Sequence, residues 1–297
     1  MKCIFICNEK SGRSRISKYK DYILTKLKTK YDVVDYIATN HKGHATEITN
    51  ELYDKYDTLV VSGGDGTLNE VINALVDKEV QPTIGYIPTG TTNDVAHSLK
   101  IPKSIKKAVQ IILNGKVFNH DVFKVNDKYG IYVCSTGLFC ESSYAAKQID
   151  KKHYGRFAYY VYGAKEIFKA DPLNIKIKYD DTTVEGRYCL MLIVNSRYVG
   201  GYKVNKNANL SDGFVDVILI KEPKKKGLSL KSLLTVAKLF LFGLDFNKKN
   251  KFITYLKLKE FEVNINSKTK INMDGEKASK GSFKFKAIEK GVKIFIP

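Results

Sequence analysis

The chain has 297 residues, 43% of them hydrophobic, and its 50 basic against 31 acidic residues give a formal charge of +19. That length and apolar fraction exclude a disordered chain and suit two globular domains. The positive surplus points to an anionic partner (membrane, nucleic acid or polyphosphate) or to a general lysine bias, since the lysines are scattered throughout. No uncharged run of about 20 residues exists to span a membrane. The short apolar stretch after Lys2 lacks a cleavage-site pattern, so no signal peptide is expected. Cys3, Cys7, Cys134, Cys140 and Cys189 form no C-x-x-C pair, and no His follows at zinc spacing. Free, buried thiols in a reducing cytoplasm are the expectation.

The first part of the chain alternates strand and helix. Lys2 to Cys7 predicts a buried strand, Asn8 to Ser14 a loop, and Lys18 to Lys30 a helix with Tyr19, Tyr22, Ile23 and Leu27 at helical spacing. Asp32 to Thr39 predicts a strand and His44 to Tyr53 a helix. Thr58 to Ser62 is the next strand, Thr67 to Asp77 the next helix, and Thr83 to Pro88 a further strand followed by another turn and helix. This order implies a parallel sheet covered by helices on both sides. Beyond about residue 120 strands dominate: Phe118 to Val125, Tyr129 to Ser135, Asn174 to Tyr179, Tyr188 to Val194, Phe214 to Ile220, Leu256 to Ile265 and Val292 to Ile296. Turn signals such as Asn126-Asp127, Asp180-Asp181 and Asp274-Gly275 separate several of them. The expected division is an α/β domain over 1–121 and a mainly antiparallel, sandwich-like β-rich domain over 122–297, with a last strand at about 289–297 packing back on the first.

Two turns carry chemistry. In Gly63-Gly64-Asp65-Gly66-Thr67, three glycines permit positive φ and let backbone N–H groups approach phosphate oxygens. Thr67 and Glu70 have capping-box spacing, which predicts a helix beginning at Thr67 whose N-terminal dipole favours an anion. Asp65 is the odd member. A carboxylate beside phosphates needs a cation between them, which makes Asp65 a candidate Mg²⁺ ligand, directly or through water. The turn is not a Walker A loop, because no Gly-Lys-Ser/Thr follows, and not G-x-G-x-x-G, because residue 69 is Asn. An ordinary strand-to-helix turn has the same composition. The second turn, Pro88-Thr89-Gly90-Thr91-Thr92-Asn93-Asp94, also joins a strand to a helix. Its hydroxyls suit phosphate, and Asn93 and Asp94 are equally plain helix caps. Ligands of such sheets sit outside the carboxyl ends of the strands.

A third segment, Asp274-Gly275-Glu276, places two carboxylates around a glycine. On a strand, residues two apart face the same way, so both would enter one cleft. Asp-Gly is equally a hairpin signal.

These motifs, Gly-Gly-Asp-Gly-Thr-Leu-Asn-Glu (63–70) and Pro-Thr-Gly-Thr-Thr-Asn-Asp (88–94), resemble those of diacylglycerol kinase catalytic domains, and especially the soluble bacterial lipid kinases. The resemblance covers nearly the whole chain. It extends to Ser11-Gly12, Thr39 with Gly43-His44-Ala45, Gly155-Arg156 with Tyr159, Asn195 with Gly200-Gly201, Leu210-Ser211-Asp212-Gly213 and Asp274-Gly275-Glu276. The chain departs from the pattern at Glu9-Lys10, Val95 and His97. The resemblance implies an α/β nucleotide domain, a β-rich domain and an active site in the cleft between them. It implies ATP contacts at Asn8, Ser11 and Gly12, at Thr39, at Gly63, Gly64, Gly66, Thr67, Asn69 and Glu70, and at Thr91, Asn93 and Asp94. It makes Glu276 the general base for the lipid hydroxyl, and Asp65 and Asp274 the holders of the catalytic Mg²⁺. A structural Mg²⁺ would be bound by Asp212, with backbone oxygens of Asn209 and Phe214. Asp121, after His120 near the domain boundary, is a candidate partner of Arg13; the family has a functional carboxylate here, and an ordinary strand-end carboxylate has the same look. Phosphoryl transfer needs what this set supplies: positioning, charge neutralisation and a base.

Lys224-Lys225-Lys226 precede the apolar stretch Leu228 to Phe246, and Lys248, Lys249 and Lys251 follow it. Such a segment suits an anionic bilayer surface, or is a core helix with snorkelling lysines. The expected enzyme is therefore an ATP- and Mg²⁺-dependent lipid kinase, cytoplasmic and peripheral on the inner face of the membrane. Its first expected substrate is diacylglycerol, with phosphatidylglycerol or a sphingoid base as alternatives. A soluble-metabolite kinase of the NAD kinase type shares the glycine turn but not the second half. Nucleic acid is not an expected partner, because the basic residues are scattered and no nucleic-acid motif stands out. Oligomeric state is left open, a homodimer included.

Overall fold

The computed structural model describes residues 1–138, 170–245 and 250–297, without the side chains of 12–15. Cys140, the matches at Gly155, Arg156 and Tyr159, the segment ends Phe246, Lys248 and Lys249, and the Arg13 side chain lie outside the described residues. The chain divides into two compact units: Met1–Val122 with Leu210–Asp212 and Glu289–Pro297, and Phe123–Asn209 with Gly213–Ile288.

The first unit is an α/β layer. Strands β1 (Lys2–Cys7), β2 (Val33–Ala38), β3 (Thr58–Gly63) and β4 (Thr83–Pro88) pair in parallel in the order β2-β1-β3-β4. The β3 residues are buried along their whole length, as expected of a strand covered on both faces. Helices α1 (Lys20–Leu27), α2 (His44–Leu52), α3 (Asp65–Leu75), α4 (Asp94–Ser98) and α5 (Ile105–Asn114) connect or follow these strands. Their apolar stripes, such as Leu68, Val71, Ile72 and Leu75 of α3, are buried with Ile4, Ile6, Leu59 and Ile84 of the strands. The stretch Ser11–Tyr19, expected to be loop up to Ser14, is instead a 3-10 helix that leads into a shorter α1. Its Ser-Gly-Arg-Ser-Arg run has no apolar period to announce a helix.

The second unit is antiparallel. It starts within β5 (Lys116–Val125) and holds β6 (Lys128–Gly130), β7 (Val133–Gly137), β8 (Leu173–Tyr179), β9 (Thr182–Val194) and β10 (Val215–Lys221). Helix α6 (Leu230–Phe242) then precedes β11 (Ile253–Leu258), β12 (Glu260–Asn264), β13 (Lys270–Met273), β14 (Glu276–Lys280) and β15 (Phe283–Ile296). The long β9 pairs with β8 along its first half, with β7 along its second, and with β10 from Tyr188 onward. Phe123, Phe285 and Phe261 stack through the core, with ring centroids 5.0 and 4.8 Å apart. β15 begins here against β12 and ends in the first unit, where Ile294 pairs in parallel with Ile84 of β4.

Two strands expected to be continuous are divided. Tyr129 to Ser135 splits at Ile131-Tyr132, whose N–H groups turn to a side chain described below. Leu256 to Ile265 splits at Lys259, whose carbonyl accepts the Ala287 N–H. Cys3, Cys7, Cys134 and Cys189 are buried thiols. Burial pushes the thiols of Cys3 and Cys189 up to about 12 and that of Cys7 to about 11, so they stay protonated and unreactive at neutral pH. Among the described residues no helix is long and apolar enough to cross a membrane.

Candidate active site

The first unit gathers its candidate residues at the carboxyl ends of the parallel strands. Asn8 follows β1. Its N–H reaches the Ser62 carbonyl at 2.9 Å, and its Nδ2 donates to Thr67 Oγ1 at 3.0 Å. Ser11 donates its N–H to the Asn8 carbonyl and opens the 3-10 stretch that contains Gly12. Thr39, just past β2, donates its N–H to the Cys7 carbonyl at 2.8 Å. Helix α3 begins at Asp65, two residues earlier than the capping-box spacing predicts, and its N-cap Gly64 makes no side-chain bond. The box is not formed because both of its members are engaged elsewhere. Thr67 Oγ1 accepts from Asn8, and Glu70 Oε1 accepts the Gly43 N–H at 3.0 Å. Asn69 bonds one turn onward, its Oδ1 accepting Asn73 Nδ2 at 2.9 Å.

The two glycine turns interlock. The Thr89 N–H donates to the Gly63 carbonyl at 2.8 Å. A Cβ on Gly90 would lie 2.5 Å from the Gly64 Cα and 2.7 Å from Asn93 Oδ1. Neither Gly63, Gly64 nor Gly66 has the positive φ the sequence reading allowed them; Gly64 has φ −90°. At Gly64 and Gly90 glycine is required for close backbone approach, not for left-handed geometry. Replacing Gly90 with alanine should therefore destabilise the fold by about 1–3 kcal/mol, as overpacking does. Gly66→Ala, where the added Cβ meets nothing within 4 Å among the described residues, should be neutral or mildly stabilising. Urea-unfolding midpoints at unchanged slope separate the two.

Asp65 ties the turns together. Its Oδ2 accepts the Asp94 N–H at 3.1 Å and the Thr92 hydroxyl at 3.5 Å, and its Oδ1 accepts the Val95 N–H at 3.3 Å. Burial raises the carboxyl above its ordinary value, and these N–H groups pull it back. Asn93 is left-handed (φ 55°) at the N-cap of α4, and its Nδ2 donates to the Gly90 carbonyl at 2.8 Å. Asp94 is buried, whereas Thr91 is exposed and its carbonyl accepts Lys103 Nζ at 3.2 Å. The Thr89 hydroxyl oxygen is buried with no hydrogen-bond partner among the described residues. Its donor and acceptor capacity is thus unused by the described protein groups. Asp121 lies elsewhere in this unit, buried, with its Oδ1 accepting the Lys290 N–H at 2.7 Å and its own N–H bound to the Leu210 carbonyl.

In the second unit, Asp274-Gly275 is a two-residue hairpin turn between β13 and β14, with φ of 51° and 77° and with Met273 paired to Glu276. Strand alternation does not put the two carboxylates side by side, because Asp274 is in the turn. Its side chain folds back as a buried acceptor: Oδ2 takes the Ile131 N–H at 2.7 Å, and Oδ1 takes those of Tyr132 and Val133 at 3.0 Å. Glu276, half-buried, is the first residue of β14. The sequence reading missed Asn272, whose Oδ1 accepts the Gly275 N–H at 3.0 Å, and the Ile131–Val133 backbone cradle. Only the Asn-x-Asp-Gly spacing hinted at the first, and nothing local marks the second. Asn195, one of the family matches, donates from Nδ2 to the Ile131 carbonyl at 3.1 Å and so braces that cradle.

Asn209 is exposed, Asp212 half-buried before the left-handed Gly213, and Phe214 exposed. Among the described residues no three His, Cys, Asp or Glu side chains cluster tightly enough to cage a metal. Asp65 and Asp274 each give most of their acceptor positions to backbone N–H groups, which leaves each carboxylate few lone pairs for a cation.

Known proteins share this organisation. Residues 2–125 match the family model "Diacylglycerol kinase catalytic domain". Residues 133–296 match "YegS C-terminal NAD kinase beta sandwich-like domain". The chain is 33% identical over 274 residues to a diacylglycerol kinase of Bacillus subtilis (strain 168), covering 91% of this chain and 88% of that one. It is 31% identical over 294 residues to a diacylglycerol kinase of Staphylococcus saprophyticus, covering 98% and 94%. A crystal structure of a diacylglycerol kinase from Bacillus anthracis str. Sterne has the same fold, with TM-score 0.79 at 22% identity over 100% of this chain and 97% of that one. The chain therefore belongs to the diacylglycerol kinase family of lipid kinases.

Proposed function

We propose that the protein transfers the γ-phosphate of ATP to the free hydroxyl of diacylglycerol, giving phosphatidic acid, while peripheral on the inner face of the membrane. The observation that carries the nucleotide half of this reading is the interlocked pair of turns at the ends of β3 and β4. Their backbones touch, Asp65 holds them in register, and the buried Thr89 hydroxyl lacks a partner among the described residues. Such a turn pair offers N–H groups and a helix N-terminus to phosphate oxygens. Asn8, Thr39 and Thr91 flank it and are assigned to the nucleotide.

Glu276 is assigned as the base that takes the proton from the lipid hydroxyl as the new O–P bond forms and the bond to ADP breaks. When bound, Mg²⁺ supplies charge neutralisation on the phosphate oxygens, and Asp65 and Asp274 are the carboxylates assigned to it. Asp212, with the Asn209 and Phe214 carbonyls, is assigned to a second, structural Mg²⁺. The acceptor assignment rests on the curated relatives, which are named diacylglycerol kinases.

The test is γ-labelled ATP with Mg²⁺ and a panel of hydroxyl lipids in mixed micelles. Label should enter the diacylglycerol product and disappear from it when Mg²⁺ is chelated. Label in phosphatidylglycerol or a sphingoid base, with none in diacylglycerol, would move the substrate and leave the reaction class intact. Transfer to no lipid would refute the reading.

A further inference from the structure

Helix α6 carries large apolar side chains on its exposed side as well as on its buried one. The side it buries carries Ser232 and Thr235 beside Val236 and Leu239. The side it exposes carries Leu230, Leu234, Leu241 and Phe242, which are 71%, 51%, 68% and 67% exposed. Leu230, Leu234 and Leu241 are spaced by four and seven residues and share one helix face. Scattered apolar side chains on a surface need no explanation, but a contiguous apolar face on a helix marks a docking surface.

Polar anchors set how the helix sits. Ser229 caps the helix by accepting the Ser232 N–H at 3.3 Å. Ser232 Oγ donates to the Lys221 carbonyl of β10 at 2.7 Å. Buried Glu222 accepts the Ser229 and Lys224 N–H groups at 2.8 and 2.9 Å. At the far end the left-handed Gly243 stops the helix, and the Leu244 N–H reaches the Val204 carbonyl at 2.7 Å. The serines and the glutamate thus fix the orientation from below, and the leucines outside are not needed to hold the helix.

What covers that face follows from its charge. Lys224, Lys225 and Lys226 lead into the helix, Lys231 and Lys238 lie beside the leucines, and all are exposed; Asp245, just past the helix, is the acidic side chain at its end. A second copy would bring two such basic faces together and be repelled, whereas an anionic surface is attracted. Resting on the peripheral location proposed above, we propose that α6 is the membrane-docking helix. Leu230, Leu234, Leu241 and Phe242 enter the headgroup boundary of an anionic bilayer, and the five lysines bind its phosphates.

The test is co-sedimentation of the full chain with vesicles of phosphatidylglycerol and phosphatidylcholine, and with phosphatidylcholine alone, at low and high salt. No nucleotide is present, so the result stands apart from the kinase reading. Binding should require the anionic lipid and weaken with salt. Leu234→Glu with Leu241→Glu should weaken it about tenfold or more, and Lys224→Glu, Lys225→Glu and Lys226→Glu together by about a hundredfold or more. Both variants should keep the parent melting temperature. Should the double leucine variant melt early, Leu230→Glu at the most exposed position replaces it. Undiminished vesicle binding by folded leucine variants would overturn the proposal. So would absence of binding by the parent chain, or a parent dimer in solution that these changes convert to monomer.

Discussion

Replacing Asp65 with alanine is expected to cost both stability and turnover. The carboxylate is the shared acceptor for the Asp94 and Val95 N–H groups at the start of α4. Without it those groups are left in a site that is nearly closed to water. An unsatisfied buried donor costs about 1–3 kcal/mol, so the pair should cost roughly 2–6 kcal/mol. For a chain of this size that lowers the melting temperature by roughly 3–10 °C. The two glycine turns also lose the link that sets their spacing, and phosphoryl transfer to lipid should fall to near background. Thermal melts and the labelled-ATP assay read the two effects separately. A variant with the parent's melting temperature and activity would show that Asp65 neither braces the turns nor serves the reaction.

Replacing Glu276 with alanine is expected to separate the same two quantities. Glu276 is half-buried at the start of β14, beside a turn whose geometry is fixed by Asp274, Gly275 and Asn272. Stability should change by only about 1 kcal/mol. A general base contributes about 10²–10⁴-fold, so kcat should fall by that factor. Binding of an ATP analogue, followed by calorimetry, should be unaltered. Full turnover in this variant would place the base elsewhere.

The contrast between these residues shows what a sequence can and cannot disclose. The parallel layer was legible because β1, β3 and β4 are short apolar runs punctuated by helices with clear apolar stripes. The glycine turns were legible for the same reason, since each stands where a strand must pass into a helix. Local pattern misled where a distant partner competes. Thr67 and Glu70 have capping-box spacing, yet Asn8 and Gly43, which are 59 and 27 residues away from them respectively, take both side chains. Asp274 reads as a strand or turn carboxylate. Its three N–H donors are 141 to 143 residues earlier in the chain, and nothing near either segment announces the pairing. The same contact explains why Tyr129 to Ser135 is not one strand. For α6, the apolar stretch with lysine flanks could not say which side faces out. The buried Ser232, Thr235, Val236 and Leu239, with Ser229 and Glu222 at the helix start, decide that.

The central claim is that this chain phosphorylates a lipid hydroxyl and not a soluble metabolite. The most direct measurement places diacylglycerol micelles and NAD in one reaction with the parent protein, Mg²⁺ and γ-labelled ATP, and resolves the products. The account predicts label in phosphatidic acid, none in NADP, and loss of the lipid signal with Glu276→Ala. Label in NADP with none in any lipid would contradict it.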